Sequence, residues 1–124
     1  MGNSNFGIGV DIENVDRFEK FISTGNNSFL NKIFTQSEIE YCFSNGKIAP
    51  HLAARYAGKE AIVKALTSIG KTKVDYREIE IANNGNGVPM ARINNEEFDN
   101  FQIHLSLSHC KDKAIAFAVV MEKN

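Results

Sequence analysis

Tryptophan is absent from the 124 residues, and cysteine and proline occur only twice each. Cys42 and Cys110 lie in no metal-ligand spacing, which removes the zinc-binding patterns from consideration. No secretory signal is expected, since Met1 to Asn5 is polar, without a basic-then-apolar order. The start reads Met-Gly, but Phe6 stands where a myristoylation signal wants Ser or Thr. A cytoplasmic chain with both cysteines as free thiols is therefore expected. No apolar run approaches the roughly 20 residues needed to cross a bilayer, so no membrane span is expected. Nor is there an excess of one charge. Fourteen Lys plus Arg face 15 Asp plus Glu, and the net charge of −1 argues against a general nucleic-acid binder.

What is present suits one folded domain over residues 1–124, with residues 1–5 expected to be disordered. Hydrophobic content of 43% and charged content of 23% are ordinary for a chain with a core. A length of 124 residues allows burial of about two-thirds of the unfolded surface. Fourteen asparagines cluster in expected turns, such as Gly25-Asn26-Asn27 and Asn83 to Gly87.

Phe6, Ile8, Val10 and Ile12 alternate as on one face of a strand, with Asp11 and Glu13 on the other. Asn14 or Asp16 can cap a helix bearing Phe18, Phe21 and Ile22, which Gly25 would stop. After a short apolar piece, Thr35 with Glu38 forms a capping box opening a further helix. Asn45 to Pro50 reads as a break. The longest helix is expected from His51 to Ile69. Leu52, Ile62, Val63, Leu66 and Ile69 form its large apolar arc, and Ala54, Gly58, Ala61 and Ala65 a small-residue arc open to another backbone. The remainder is strand-rich: Ile79 and Ile81, Val88 to Ile93, then Gln102 to Ser108 and Ala114 to Met121 around a turn. The order implies an α+β fold.

Glu60 and Lys64 share the remaining sector of this largely apolar helix. A plain i,i+4 ion pair accounts for them at a few tenths of a kcal/mol. The alternative is a hard-cation site joined by Asp11 and Glu13, since magnesium takes one or two protein carboxylates together with phosphates and water. Between Lys47 and Lys73 stand six basic residues and one acid, Glu60, an excess that favours an anionic ligand. His104 to His109 alternates; Leu105 and Leu107 face one way, His104, Ser106 and Ser108 the other. This is a polar strand face or a ligand-contact face. Asn84-Gly-Asn-Gly-Val-Pro89 reads as a turn whose glycines also allow backbone amides to approach a phosphate.

Gly7-Ile-Gly-Val-Asp11, Phe34-Thr-Gln-Ser-Glu38, Ala54 to Lys64, Gly87-Val-Pro89 and His104 to His109 together resemble the 4′-phosphopantetheinyl transferases. The likeness is to the short holo-(acyl-carrier-protein) synthase branch, in family order, with Asp11 and Glu60 separated by 49 positions. The resemblance implies a long central helix packed on an antiparallel sheet, and transfer of 4′-phosphopantetheine from coenzyme A to a serine of an apo acyl carrier protein, releasing 3′,5′-ADP. It also implies magnesium on Asp11 and Glu60, with Glu13 as a third ligand, and Lys64 on the pyrophosphate; Glu60 and Lys64 carry the catalysis. Arg55, Lys59, Lys64, Gly87, Pro89 and His109 become coenzyme A contacts, and the assembly a homotrimer with sites between protomers, serving fatty-acid biosynthesis. Glu13 is more like the larger two-domain transferases. Val88 stands where short relatives often have Lys, and Thr67-Ser-Ile-Gly70 replaces a more glycine-rich loop. Arg17 and Lys20 are the only basic residues on a first helix that is often arginine-rich. Two other functions compete: a noncatalytic carrier- or nucleotide-binding module, and a small metal-dependent phosphohydrolase.

Overall fold

The computed structural model describes residues 5–25, 27–44 and 46–123. Strand β1 (Phe6–Asn14) leads through three short helices, α1 (Val15–Ser23), α2 (Asn27–Ile33) and α3 (Gln36–Phe43), to the long helix α4 (Ile48–Ser68). A single 3-10 turn, Tyr76–Glu78, precedes the hairpin of β2 (Ile79–Asn83) and β3 (Pro89–Ile93). After a second such turn come β4 (Phe101–His109) and β5 (Lys113–Glu122). Strand β5 pairs antiparallel with β1 on one side and β4 on the other, while β2 and β3 form their own ladder. The result is the α+β arrangement expected, with the long helix across an antiparallel sheet. Of residues 1–5, expected to be disordered, 1–4 lie outside the described residues, whereas the Asn5 carbonyl accepts from the Glu122 N–H at 2.8 Å; Asn26 also lies outside them, and Asn27 opens α2.

Small residues decide how close helix and sheet come. The inward face of β5 is Ala114, Ala116, Ala118 and Val120, all buried. On β1 the inward positions are Gly7 and Gly9, pressed on the α4 backbone: a Cβ on Gly9 would lie 2.0 Å from the Ala61 carbonyl oxygen. Ala61 and Ala65 of the small-residue arc of α4 thus receive β1, Gly58 faces the side chains of Ile81, Leu105 and Leu107, and the larger arc fills the core. Leu52, Ile62 and Leu66 are fully buried, each contributing about 2 kcal/mol through burial. Apolar side chains of β1 point the other way: Phe6, Ile8, Val10 and Ile12 are exposed, as are Ile115 and Phe117 on β5.

Two boundaries differ from expectation. Helix α4 begins at Ile48, so Pro50 sits inside its first turn rather than ending a break. The first backbone N–H groups of a helix have no partner to lose, so proline is tolerated there. Asn14 occupies the position before α1 but makes no side-chain cap; the Val15 N–H bonds the Asp112 carbonyl instead, at 3.0 Å. The Thr35–Glu38 capping box is present as read. Cys42 is buried and Cys110 exposed, both unpaired. Among the described residues, no helix is long and apolar enough to cross a membrane.

Candidate functional site

The close contact of β1 with α4 delivers Asp11 to the helix beside Glu60 and Lys64. Lys64 Nζ lies 3.1 Å from Asp11 Oδ1 and donates also to the Val10 carbonyl at 3.1 Å. Among the described residues, no N–H or hydroxyl donor reaches the buried Asp11 Oδ2, so a protonated Glu13 is the neighbour left to donate to this carboxylate. Glu13, two residues on and facing the same way, pairs with Arg17 at 3.3 Å. Burial, then a hydrogen bond and repulsion from Asp11, push the Glu13 carboxyl up to about 7; Glu60 adds repulsion and Arg17 offsets part of it. Glu60 Oε1 accepts from the Tyr76 hydroxyl at 2.5 Å. Tyr56 stands one helical turn before Glu60, and burial together with that carboxylate pushes its phenol up to about 12.

A carboxylate repelled by two others, Glu13 beside Asp11 and Glu60, calls for a proton or a cation. The donors are all oxygen, the chemistry of a hard ion such as magnesium. Among the described residues, no group of three or more His, Cys, Asp or Glu is disposed to cage a metal. A set of two protein carboxylates completed by substrate and water fits what is there.

Lys59 lies elsewhere. It is fully buried, 2.7 Å from Glu38 Oε1, and its Nζ donates to the carbonyls of Ile33, Tyr76 and Ile79 at 2.7 to 2.9 Å. Four internal acceptors saturate three hydrogens, so the coenzyme contact expected of Lys59 is not one this geometry offers. Burial lowers its pKa and Glu38 opposes the shift. Glu38 does more than cap: its Oε2 accepts from the Ile81 N–H at 2.8 Å, tying α3 to β2.

A second polar group gathers around the start of α4. Arg55 is buried, stacks over Tyr41 at 4.4 Å and donates to Asn83 Oδ1 at 3.2 Å; its buried Nε meets no acceptor among the described residues. His51 meets Tyr41 and His109 edge-on, and burial with Arg55 and His109 nearby pushes it below its usual value. The sheet register sets Glu13, Ala114 and His109 in one row across β1, β5 and β4. His109 also lines a cavity of about 700 Å³ between α1, the start of α4 and the β4–β5 turn; Asp11, Glu60 and Lys64 do not. Gly87 has a φ of 78° and Asn84 Oδ1 accepts from the Asn86 and Val88 N–H groups, so that segment is a tight turn before Pro89.

Sequence reasoning did not single out Tyr56, Tyr76, Tyr41, Asn83 or His51 for the site, and it read Glu38 as a helix cap without its buried Lys59 partner. Tyr56 stands one helical turn before Glu60, so an i,i+4 reading reaches it. Tyr76 comes 16 positions later, beyond the helix, and no local spacing announces it.

This geometry has relatives. The profile of the 4′-phosphopantetheinyl transferase superfamily matches residues 7–118. The chain is 43% identical over 114 residues to the holo-(acyl-carrier-protein) synthase of Thermodesulfovibrio yellowstonii, covering 92% of this chain and 96% of that one. To the synthase of Aquifex aeolicus it is 37% identical over 121 residues, covering 94% and 99%. Among solved structures it is similar to the Bacillus anthracis synthase in complex with coenzyme A (3′,5′-ADP), with a TM-score of 0.76, 29% identity, and 94% and 96% coverage. The Helicobacter pylori synthase in complex with coenzyme A gives a TM-score of 0.76, 28% identity, and 91% and 98% coverage. Fold, motif order and sequence thus converge on one conclusion: the chain belongs to the 4′-phosphopantetheinyl transferase superfamily.

Proposed function

We propose that this protein is a holo-(acyl-carrier-protein) synthase that uses magnesium to transfer 4′-phosphopantetheine from coenzyme A to a serine of an apo acyl carrier protein, in the cytoplasm and in the service of fatty-acid biosynthesis. The observation that carries the reading is the meeting of Asp11 with Lys64 beside Glu60, with no N–H or hydroxyl donor on the buried Asp11 Oδ2 among the described residues.

Asp11 and Glu60 are the residues to hold magnesium, with Glu13 adjoining. Magnesium held by these carboxylates would supply Lewis-acid neutralisation of pyrophosphate charge. Lys64, with a half-exposed side chain, is placed to neutralise charge on the same group. The serine oxygen forms a bond to the phosphorus bearing pantetheine as the bond to 3′,5′-ADP breaks, and Glu60 is the carboxylate available for the serine proton. Arg55 and His109, with the Gly87–Pro89 turn, form the anion- and nucleotide-contact group.

The outward apolar row of Phe6, Ile8, Val10 and Ile12, joined by Ile115 and Phe117, supports assembly. Such a patch on a small chain marks a protein interface. A homotrimer with sites between protomers would cover it. The test is intact-mass spectrometry of an apo carrier protein. A gain of one phosphopantetheine that requires both coenzyme A and magnesium supports the reading, and release of 3′,5′-ADP without protein modification replaces it with a phosphohydrolase.

A further inference from the structure

Among the described residues Glu60 makes no ion pair; a hydroxyl group holds it. The Tyr76 phenol donates to Glu60 Oε1 at 2.5 Å, and Tyr56 stands one turn earlier on α4. The two rings meet edge to face with centroids 6.0 Å apart. The backbone of Tyr76 is fixed from the same helix: Lys59 Nζ donates to its carbonyl at 2.9 Å. The 3-10 turn that Tyr76 opens is closed by a reciprocal Asp75–Glu78 cap. Consecutive residues of α4, Lys59 and Glu60, thus hold the two ends of one tyrosine.

A glutamate side chain rotates about three bonds, and fixing it costs entropy whenever a ligand must do so. A rigid phenol anchored by its own backbone removes that freedom before the ligand arrives. Outer partners of carboxylates that ligate metals typically change metal affinity or activity by about 10- to 100-fold. We infer that Tyr76 is a positioning residue, its hydroxyl fixing the Glu60 carboxylate in the orientation that serves a divalent cation shared with Asp11; this rests on the transferase reading above. Phenylalanine would fill the same volume, so the hydroxyl is separable from the ring.

The experiment uses the full chain without coenzyme A and manganese(II) as the probe, followed by the loss of its free-ion electron paramagnetic resonance signal. Tyr76→Phe should weaken manganese binding by about 10-fold, with a melting temperature close to that of the native protein. In a Glu60→Gln background, Tyr76→Phe should cause no further loss, because the group it positions is already altered. In transfer assays kcat should fall by about 10-fold while KM for coenzyme A changes by less than about two-fold, the pattern of lost positioning rather than lost binding. Equal manganese affinity in native and Tyr76→Phe protein overturns the inference, as does an undiminished loss in the Glu60→Gln background. A native protein that binds manganese but transfers nothing overturns the transferase reading alone, and the affinity ratio still decides the role of Tyr76. Failure of the native protein to bind manganese saturably overturns both.

Discussion

Replacing Gly9 by alanine tests the contact on which the site depends. The added Cβ would lie 2.0 Å from the Ala61 carbonyl oxygen and 2.8 Å from the Ala65 nitrogen, against a working limit of 3.0 Å for real Cβ atoms. Both atoms are helix backbone, so no side chain can rotate away, and β1 must retreat from α4 by about 1 Å. Overpacking of this kind costs about 1–3 kcal/mol, and a rigid backbone on both sides places Gly9→Ala at about 3 kcal/mol. Unfolding entropy for a chain of this length is about 260 cal/mol/K, so the melting temperature should fall by about 12 °C. Asp11 is two residues away, and a displacement of about 1 Å in a reacting group costs about 100-fold in rate. Gly46→Ala is the control, because a Cβ there meets nothing within 4 Å. Circular-dichroism melts and phosphopantetheine transfer well below the melting temperature provide the two readouts. A Gly9→Ala protein that melts and transfers like the Gly46→Ala control refutes the reasoning.

Asp11→Ala and Glu60→Ala should each lower transfer by on the order of 1,000-fold while moving the melting temperature far less, measured by mass spectrometry and calorimetry. For Glu13, whose carboxyl is pushed from an ordinary 4.5 up to about 7, the folded state keeps a proton that the unfolded state releases within that window. Stability therefore falls as pH rises from 4.5 to about 7. Glu13→Gln should flatten this slope and melt about 4 °C above the native protein at pH 8, corresponding to about 1 kcal/mol after solvent screening. A parallel pair of melting-versus-pH curves would sink that assignment. Lys59→Met leaves Glu38 buried and unpaired and should destabilise by about 3–5 kcal/mol, read by urea unfolding; a loss below about 1 kcal/mol would show the pair to be dispensable.

The parts of this fold legible in the sequence are those set by neighbours in the chain. The Thr35–Glu38 box, the alternation of β1 and the small-residue arc of α4 are local patterns, and the structure uses each. That arc even implied its occupant, a backbone at close range, which proved to be Gly7 and Gly9. Which face of β1 turns inward was not legible, because its apolar row lies outside and its glycines inside. The site was legible where two motifs each delivered a charged residue, Asp11 on a strand and Glu60 with Lys64 on a helix. Lys59 was misjudged for a physical reason: its partners are main-chain carbonyls at Ile33, Tyr76 and Ile79, and carbonyls carry no sequence signature. Tyr76 escaped for a related one, since only the path of the chain after α4 carries its hydroxyl back to Glu60.

The buried Lys59 ammonium has a bearing on how this scaffold tolerates insertions. It binds the end of α2, the start of α3 through Glu38, and the approach to β2. Extra residues placed between Ile33 and Glu38, or between Tyr76 and Ile81, would pull an oxygen off a cation that has no water to replace it. The segment Gly70 to Val74 makes no such connection, and it is where length can vary or a tag can be grafted.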